Sequence, residues 1–106
     1  MTVKPENVIL LPNTSKKIDP VLVQNLVNRI CAAGCRILSG EENRTFLEPL
    51  TNSVKFCSET DLFANGDMIF VLGGDGSIIE TARRCRCSGR NIPIAGINCG
   101  RIGYLA

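Results

Sequence analysis

The chain has 106 residues, a net charge of +2, 44% hydrophobic and 21% charged residues. That length fits one domain whose core covers roughly 60–70% of the surface an unfolded chain exposes. There is no 18-residue apolar run to cross a membrane, and Met1 to Glu6 lack the basic-then-apolar layout of a secretory leader, so the reading is a cytoplasmic protein with neither membrane nor nucleic acid among its partners.

Val8 to Leu11 is a continuous apolar run between Asn7 and Pro12, as expected of a strand buried on both faces. Asp19 then offers a helix N-cap, with Pro20 at the first helical position. Leu22, Leu26 and Ile30, with Val23, Val27 and Cys31, recur at spacings of four and form one helical stripe, which Gly34 closes. Cys35 to Leu38 reads as a second strand, completing a βαβ unit. Ser39 to Gly66 has weaker patterning: a short helix is expected within Asn43 to Leu50 and a short edge strand at Val54 to Cys57. Met68 to Leu72 is a clear buried strand that runs straight into Gly73-Gly74-Asp75-Gly76-Ser77. A second helix follows, with Ile78, Ala82 and Cys85 on one side and Gly89 as its stop. Ile92 to Ile97 is a further strand, with Pro93 near its start, where a missing N–H is tolerated. Strands alternating with helices predict an α/β three-layer sandwich around a mainly parallel sheet. In such sheets ligands bind beyond the carboxyl ends of the strands, and both glycine-rich turns lie there, after Leu72 and after Ile97.

After Glu80 no acidic residue remains, while Arg83, Arg84, Arg86, Arg90 and Arg101 follow. Arginine excess suits an anionic ligand; a solvated helix face is the simpler expectation for Arg83, Arg84, Arg86 and Arg90. Six cysteines without a leader are expected to be reduced thiols. Cys31, Cys57 and Cys99 lie among apolar neighbours and read as small core residues. Cys85 and Cys87 form a CxC pair, but without histidine or a second pair no zinc site is expected.

Gly73 to Ser77 carries the chemistry. Three glycines in four positions allow a tight turn with positive φ, and without side chains their N–H groups can approach a ligand closely. The turn feeds a helix N-terminus, where free N–H groups and the dipole favour phosphate. Ser77 can cap that helix or donate to a phosphate oxygen. Asp75 has three readings: it accepts a proton from a hydroxyl that attacks phosphorus, it helps to hold a metal ion, or it only caps the helix. There is no GxxxxGK[ST] and no GxGxxG, so neither the P-loop nor the usual dinucleotide fingerprint is present. In the second turn, Gly96 to Tyr104, Asn98 offers donor and acceptor groups. Arg101 there either reaches a phosphate or is simply solvated.

These segments resemble a known family. GGDG followed by Ser or Thr after an apolar strand is shared by NAD kinases, diacylglycerol-type lipid kinases and 6-phosphofructokinases. GINCGRIGYLA, from Gly96 to Ala106, resembles the GxNxGxxGFL segment of NAD kinases and not the GTGND-like pattern of lipid kinases. Leu11-Pro12-Asn13, with Lys16 and Lys17 behind, resembles the family's PN-containing first turn. The resemblance runs from about Val8 to Ala106 and implies a Rossmann- or phosphofructokinase-like nucleotide-binding domain, residues 1–106, of a longer kinase. It implies phosphorylation of the adenosine-ribose 2′-hydroxyl of NAD to give NADP, from ATP or polyphosphate with a divalent cation such as magnesium. It also implies Asp75 as general base, a nucleotide pocket of Gly73, Gly74, Gly76, Ser77, Asn98 and Arg101 with Gly76 adjoining NAD, and a homo-oligomeric complete enzyme.

Two features depart from the family pattern. Glu80 stands where many members carry a basic residue, and the chain stops before the Asn-Glu or Asn-Asp motif and the β-rich domain that supplies most NAD contacts. This part alone is therefore expected to be inactive. Two alternatives are another GGDG kinase and a stand-alone flavodoxin-like binding module.

Overall fold

Strand β1 (Asn7–Pro12) is apolar on both sides because it runs through the middle of a sheet covered above and below. The computed structural model describes residues 5–15 and 17–97. Helix α1 (Pro20–Ala32) starts where Asp19 Oδ1 accepts from the Val21 N–H at 2.9 Å, with Pro20 in its first turn. It ends at Ala33, and Gly34 turns the chain away at φ 86°, a conformation costly for any side chain. Strand β2 (Arg36–Gly40) follows, then a 3-10 turn (Glu41–Asn43) leading into the short helix α2 (Arg44–Leu47) and strand β3 (Val54–Cys57). The second half comprises helix α3 (Glu59–Asn65), strand β4 (Met68–Leu72), helix α4 (Asp75–Cys87) and strand β5 (Ile94–Ile97).

The five strands are all parallel in the order β3-β2-β1-β4-β5. Because strand side chains alternate between faces, β1 feeds two cores at once. Val8 and Leu10 pack with Val23, Val27 and Ile30 of α1 and Leu47 of α2. Ile9 and Leu11 pack with Leu62 and Phe63 of α3 and Cys85 of α4. The architecture is therefore the expected α/β sandwich: one helical layer of α1 and α2, the sheet, and a second layer of α3 and α4.

Two expectations are corrected. Cys31 is exposed, because the buried stripe of α1 passes through Val23, Val27 and Ile30, and Cys57 on the edge strand is half-buried. Cys85 is the buried thiol, donating to the Arg90 carbonyl at 3.2 Å. Helix α3 was not anticipated from the sequence. Its signal is Ser58, whose Oγ accepts from the Asp61 N–H at 3.3 Å, followed by the buried pair Leu62–Phe63. The Arg90 guanidinium closes the far end of α3 by donating to the carbonyls of Phe63, Ala64 and Gly66 at 2.8, 3.1 and 2.8 Å.

Candidate functional site

Strands β1 and β4 are neighbours, but the chain leaves them in opposite directions across the sheet, β1 toward β2 and β4 toward β5. The connections diverge and leave a crevice beyond the two carboxyl ends, the usual ligand position in an open α/β sheet. An open cleft of about 470 Å³ occupies that place, lined by Pro12 and Asn13 after β1, by Gly74 to Ser77 after β4, and by Glu80, Thr81 and Arg84 further along α4. The cleft floor is held by the Asn13 N–H donating to the Leu72 carbonyl at 2.8 Å and the Gly73 N–H donating to that of Ile97 at 2.9 Å.

The glycines of this turn work differently from the sequence expectation. Among the described residues positive φ occurs only at Gly34 and Gly89, which end α1 and α4. Gly73, Gly74 and Gly76 do without it; Gly74 is extended, at φ −103° and ψ −167°. Their use is spatial. A Cβ on Gly73 would stand 2.7 Å from Ser77 Oγ and 3.1 Å from Asn13 Cβ, whereas a Cβ on Gly74 or Gly76 would meet nothing within 4 Å. Gly73 lets protein pack against protein, while Gly74 and Gly76 leave the cleft wall bare.

Gly74 is the N-cap of α4, and no side chain caps that terminus. The first N–H groups of the helix thus have no intrahelical partner and face the crevice end of the sheet. Asp75 is the first residue of the helix and exposed, and no described residue donates to its carboxylate. The capping role considered for Asp75 is excluded, since the cap position belongs to Gly74. Ser77 does not cap the helix either: its Oγ accepts from Asn13 Nδ2 at 2.7 Å. Asn13 was part of a motif in the sequence but not among the expected site residues; its link to Ser77 spans 64 positions and is visible only in the fold.

Glu80 lines the cleft with its carboxylate 2.5 Å from Arg83 Nη2, and that hydrogen bond holds the carboxyl below its ordinary range. Arg83 and Arg86 are exposed, as a solvated helix face requires. Arg84 is part-buried, and Arg90, though exposed, lies beyond the end of α4 and is tied to backbone carbonyls. Arg84 Nη2 lies 2.6 Å from Glu59 Oε1 and 3.9 Å from Glu42 Oε2, and the guanidinium sits 5.4 Å from the centre of the Phe63 ring. Both arginines are recruited by α3 and its flanks, the element the sequence had concealed. Asn98 and Arg101, with Lys16 and Cys99, lie outside the described residues.

Residues 8–106 match the family model described as the ATP-NAD kinase N-terminal domain. The chain is 34% identical over 101 residues to an NAD kinase of Chromobacterium violaceum, covering 94% of this chain and 33% of that protein. An NAD kinase of Desulforamulus reducens is 32% identical over 96 residues, covering 91% of this chain and 32% of the relative. The chain thus spans about a third of the length of these curated relatives. In fold it is similar to yeast NADH kinase, solved in complex with NADH, with a TM-score of 0.76 at 14% identity over 97% of this chain and 34% of the other. With the GGDG turn at the β1–β4 crevice and the family match spanning nearly its whole length, the chain belongs to the NAD kinase family, as an ATP-NAD kinase N-terminal domain.

Proposed function

We propose that the complete protein transfers a phosphoryl group to the 2′-hydroxyl of the adenosine ribose of NAD, giving NADP, with ATP or inorganic polyphosphate as donor. The observation that carries this reading is Asp75, an exposed carboxylate without a partner among the described residues, on the wall of a cleft otherwise bared by Gly74 and Gly76. In this reading Asp75 accepts the proton of the 2′-hydroxyl as its oxygen attacks phosphorus. The bond from phosphorus to the leaving phosphate oxygen breaks, and that electron pair departs with the shortened donor. Gly73, Gly74, Gly76 and Ser77 shape the phosphate end of the pocket, with Gly76 adjoining NAD; Asn98 and Arg101 are the further nucleotide-binding residues of this reading.

Magnesium is commonly held by one or two carboxylates together with substrate phosphates, so it needs no protein cage. No group of three or more potential metal-ligating side chains occurs among the described residues, and a cation carried by the donor's phosphates fits that arrangement. Asp75 and Glu80 are the cleft carboxylates that would face it. When bound, it would neutralise charge on the phosphates. The same reading makes residues 1–106 the nucleotide-binding part of a cytoplasmic, homo-oligomeric kinase.

The test is NADP formation by the purified complete protein from NAD, magnesium and ATP or tripolyphosphate, beside residues 1–106 alone. Turnover by the complete protein and none by residues 1–106 is the expected result. A complete protein that never forms NADP with either donor would overturn the assignment.

A further inference from the structure

Ser77 Oγ carries one proton and two lone pairs, and the structure determines how they are divided. Asn13 Oδ1 is fixed as an acceptor, because the Ser15 backbone N–H, which can only donate, lies 3.1 Å from it and the Ser15 hydroxyl donates to it at 2.6 Å. The other end of the Asn13 amide must then be the NH₂ group, and it donates to Ser77 Oγ at 2.7 Å. A hydroxyl that accepts from Asn13 keeps its own proton for something else, and no described residue takes it. Both residues line the cleft beside Gly74 and Gly76. Gly73 lies under the contact, where a Cβ would come within 2.7 Å of Ser77 Oγ.

We propose that Asn13 is a positioning residue for the phosphate end of the cleft: it holds Ser77 Oγ as a hydrogen-bond donor toward a ligand group that can only accept, the phosphoryl donor's phosphate oxygens. This rests on the kinase reading above and adds to it the device that sets the polarity of the site. A phosphate offers only acceptors, so a hydroxyl whose lone pair is already engaged by an NH₂ group is matched to phosphate. Asn13 acts through Ser77 and needs no contact with the ligand.

The experiment is a double-mutant cycle in the complete protein, Asn13→Ala, Ser77→Ala and both together. Its readouts are the dissociation constant of tripolyphosphate by titration calorimetry and the KM values for ATP and NAD. Loss of a hydrogen bond to a charged phosphate corresponds to about tenfold weaker binding or more. Ser77→Ala is therefore expected to weaken tripolyphosphate and raise KM for ATP about tenfold, with KM for NAD little changed. Asn13→Ala should give part of that loss, and the double variant no more than Ser77→Ala alone. Asn13→Asp keeps the acceptor for Ser15 while taking the Ser77 proton for itself, so it should weaken tripolyphosphate at least as much as Ser77→Ala without lowering the melting temperature. Losses that add in the double variant, or unchanged tripolyphosphate binding in Asn13→Asp, overturn the proposal. A wild-type protein that binds tripolyphosphate through this pair but forms no NADP overturns the kinase reading and leaves the Asn13–Ser77 device standing. Normal turnover with an additive cycle does the reverse.

Discussion

Helices α1 and α4 both follow a central parallel strand, yet they begin in opposite ways. The first turn of α1 is closed by the protein itself: Asp19 Oδ1 takes the Val21 N–H and Pro20 removes a donor outright. The first turn of α4 has glycine at the cap, no side chain on its N–H groups, and bare space where a Cβ of Gly74 or Gly76 would stand. A capped terminus serves stability. An uncapped one with its own wall stripped away forgoes a stabilising contact of about 1 kcal/mol and keeps its donors for a ligand. On the kinase reading proposed above, the difference separates a structural helix start from a ligand-binding one within a single sheet.

The largest expected effect comes from the residue that only the open terminus carries. Asp75→Asn should lower kcat of the complete protein by a factor on the order of 10² to 10⁴, about 3–5 kcal/mol of barrier. Its melting temperature should fall only slightly, because Asp75 is not the cap and gives up only a first-turn charge–dipole contact of about 0.3–1 kcal/mol. Recovery of rate in excess magnesium would reassign Asp75 from base to metal ligand, and near wild-type kcat would erase the functional half of the comparison.

Next in size is Gly73→Ala, whose methyl would meet Ser77 Oγ at 2.7 Å and Asn13 Cβ at 3.1 Å. The forced shift should cost about 1–3 kcal/mol in denaturant unfolding, whereas Gly74→Ala has open space there and should cost much less. Equal losses in the two variants would show that backbone freedom, not space, is what Gly73 supplies.

At the closed terminus, Asp19→Ala should lose about 1 kcal/mol of stability with NAD phosphorylation per folded molecule unchanged. A fall in activity as large as that of Asp75→Asn would mean that the two helix starts are not functionally distinct. The smallest effect is the most diagnostic in sign. Gly76→Ala should raise stability by up to about 1 kcal/mol, since alanine is the better helix former and nothing obstructs its methyl. The same variant should raise KM for NAD. A variant that is more stable and binds NAD as well would show that Gly76 is not kept bare for a ligand.

Much of this architecture is legible locally. Met68 to Leu72 and Val54 to Cys57 are the observed strands, and Asp19, Pro20, Gly34 and Gly89 punctuate the helices where their side chains, or lack of them, require. The region after Ser39 was harder because α3 has only seven residues, too few for a periodic stripe, and its apolar pair Leu62–Phe63 is adjacent, not spaced. The partners that Arg84 and Arg90 find on α3 and its flanks are equally invisible along the chain, so a solvated face is the simpler sequence expectation for both.

The α/β class, the position of the glycine-rich turn at a strand's carboxyl end and the oddity of an aspartate within it are all readable along the chain, because they depend on neighbours in sequence. How the turn works follows from contacts made in the folded chain. Gly73 is small to admit Asn13 and Ser77, Ser77 is an acceptor from Asn13 and no cap, and Arg84 is drawn to Glu59 and Phe63. Each of these is a contact between residues far apart in sequence. Distance along the chain says nothing about which side chains meet until the order of the strands places β1 beside β4.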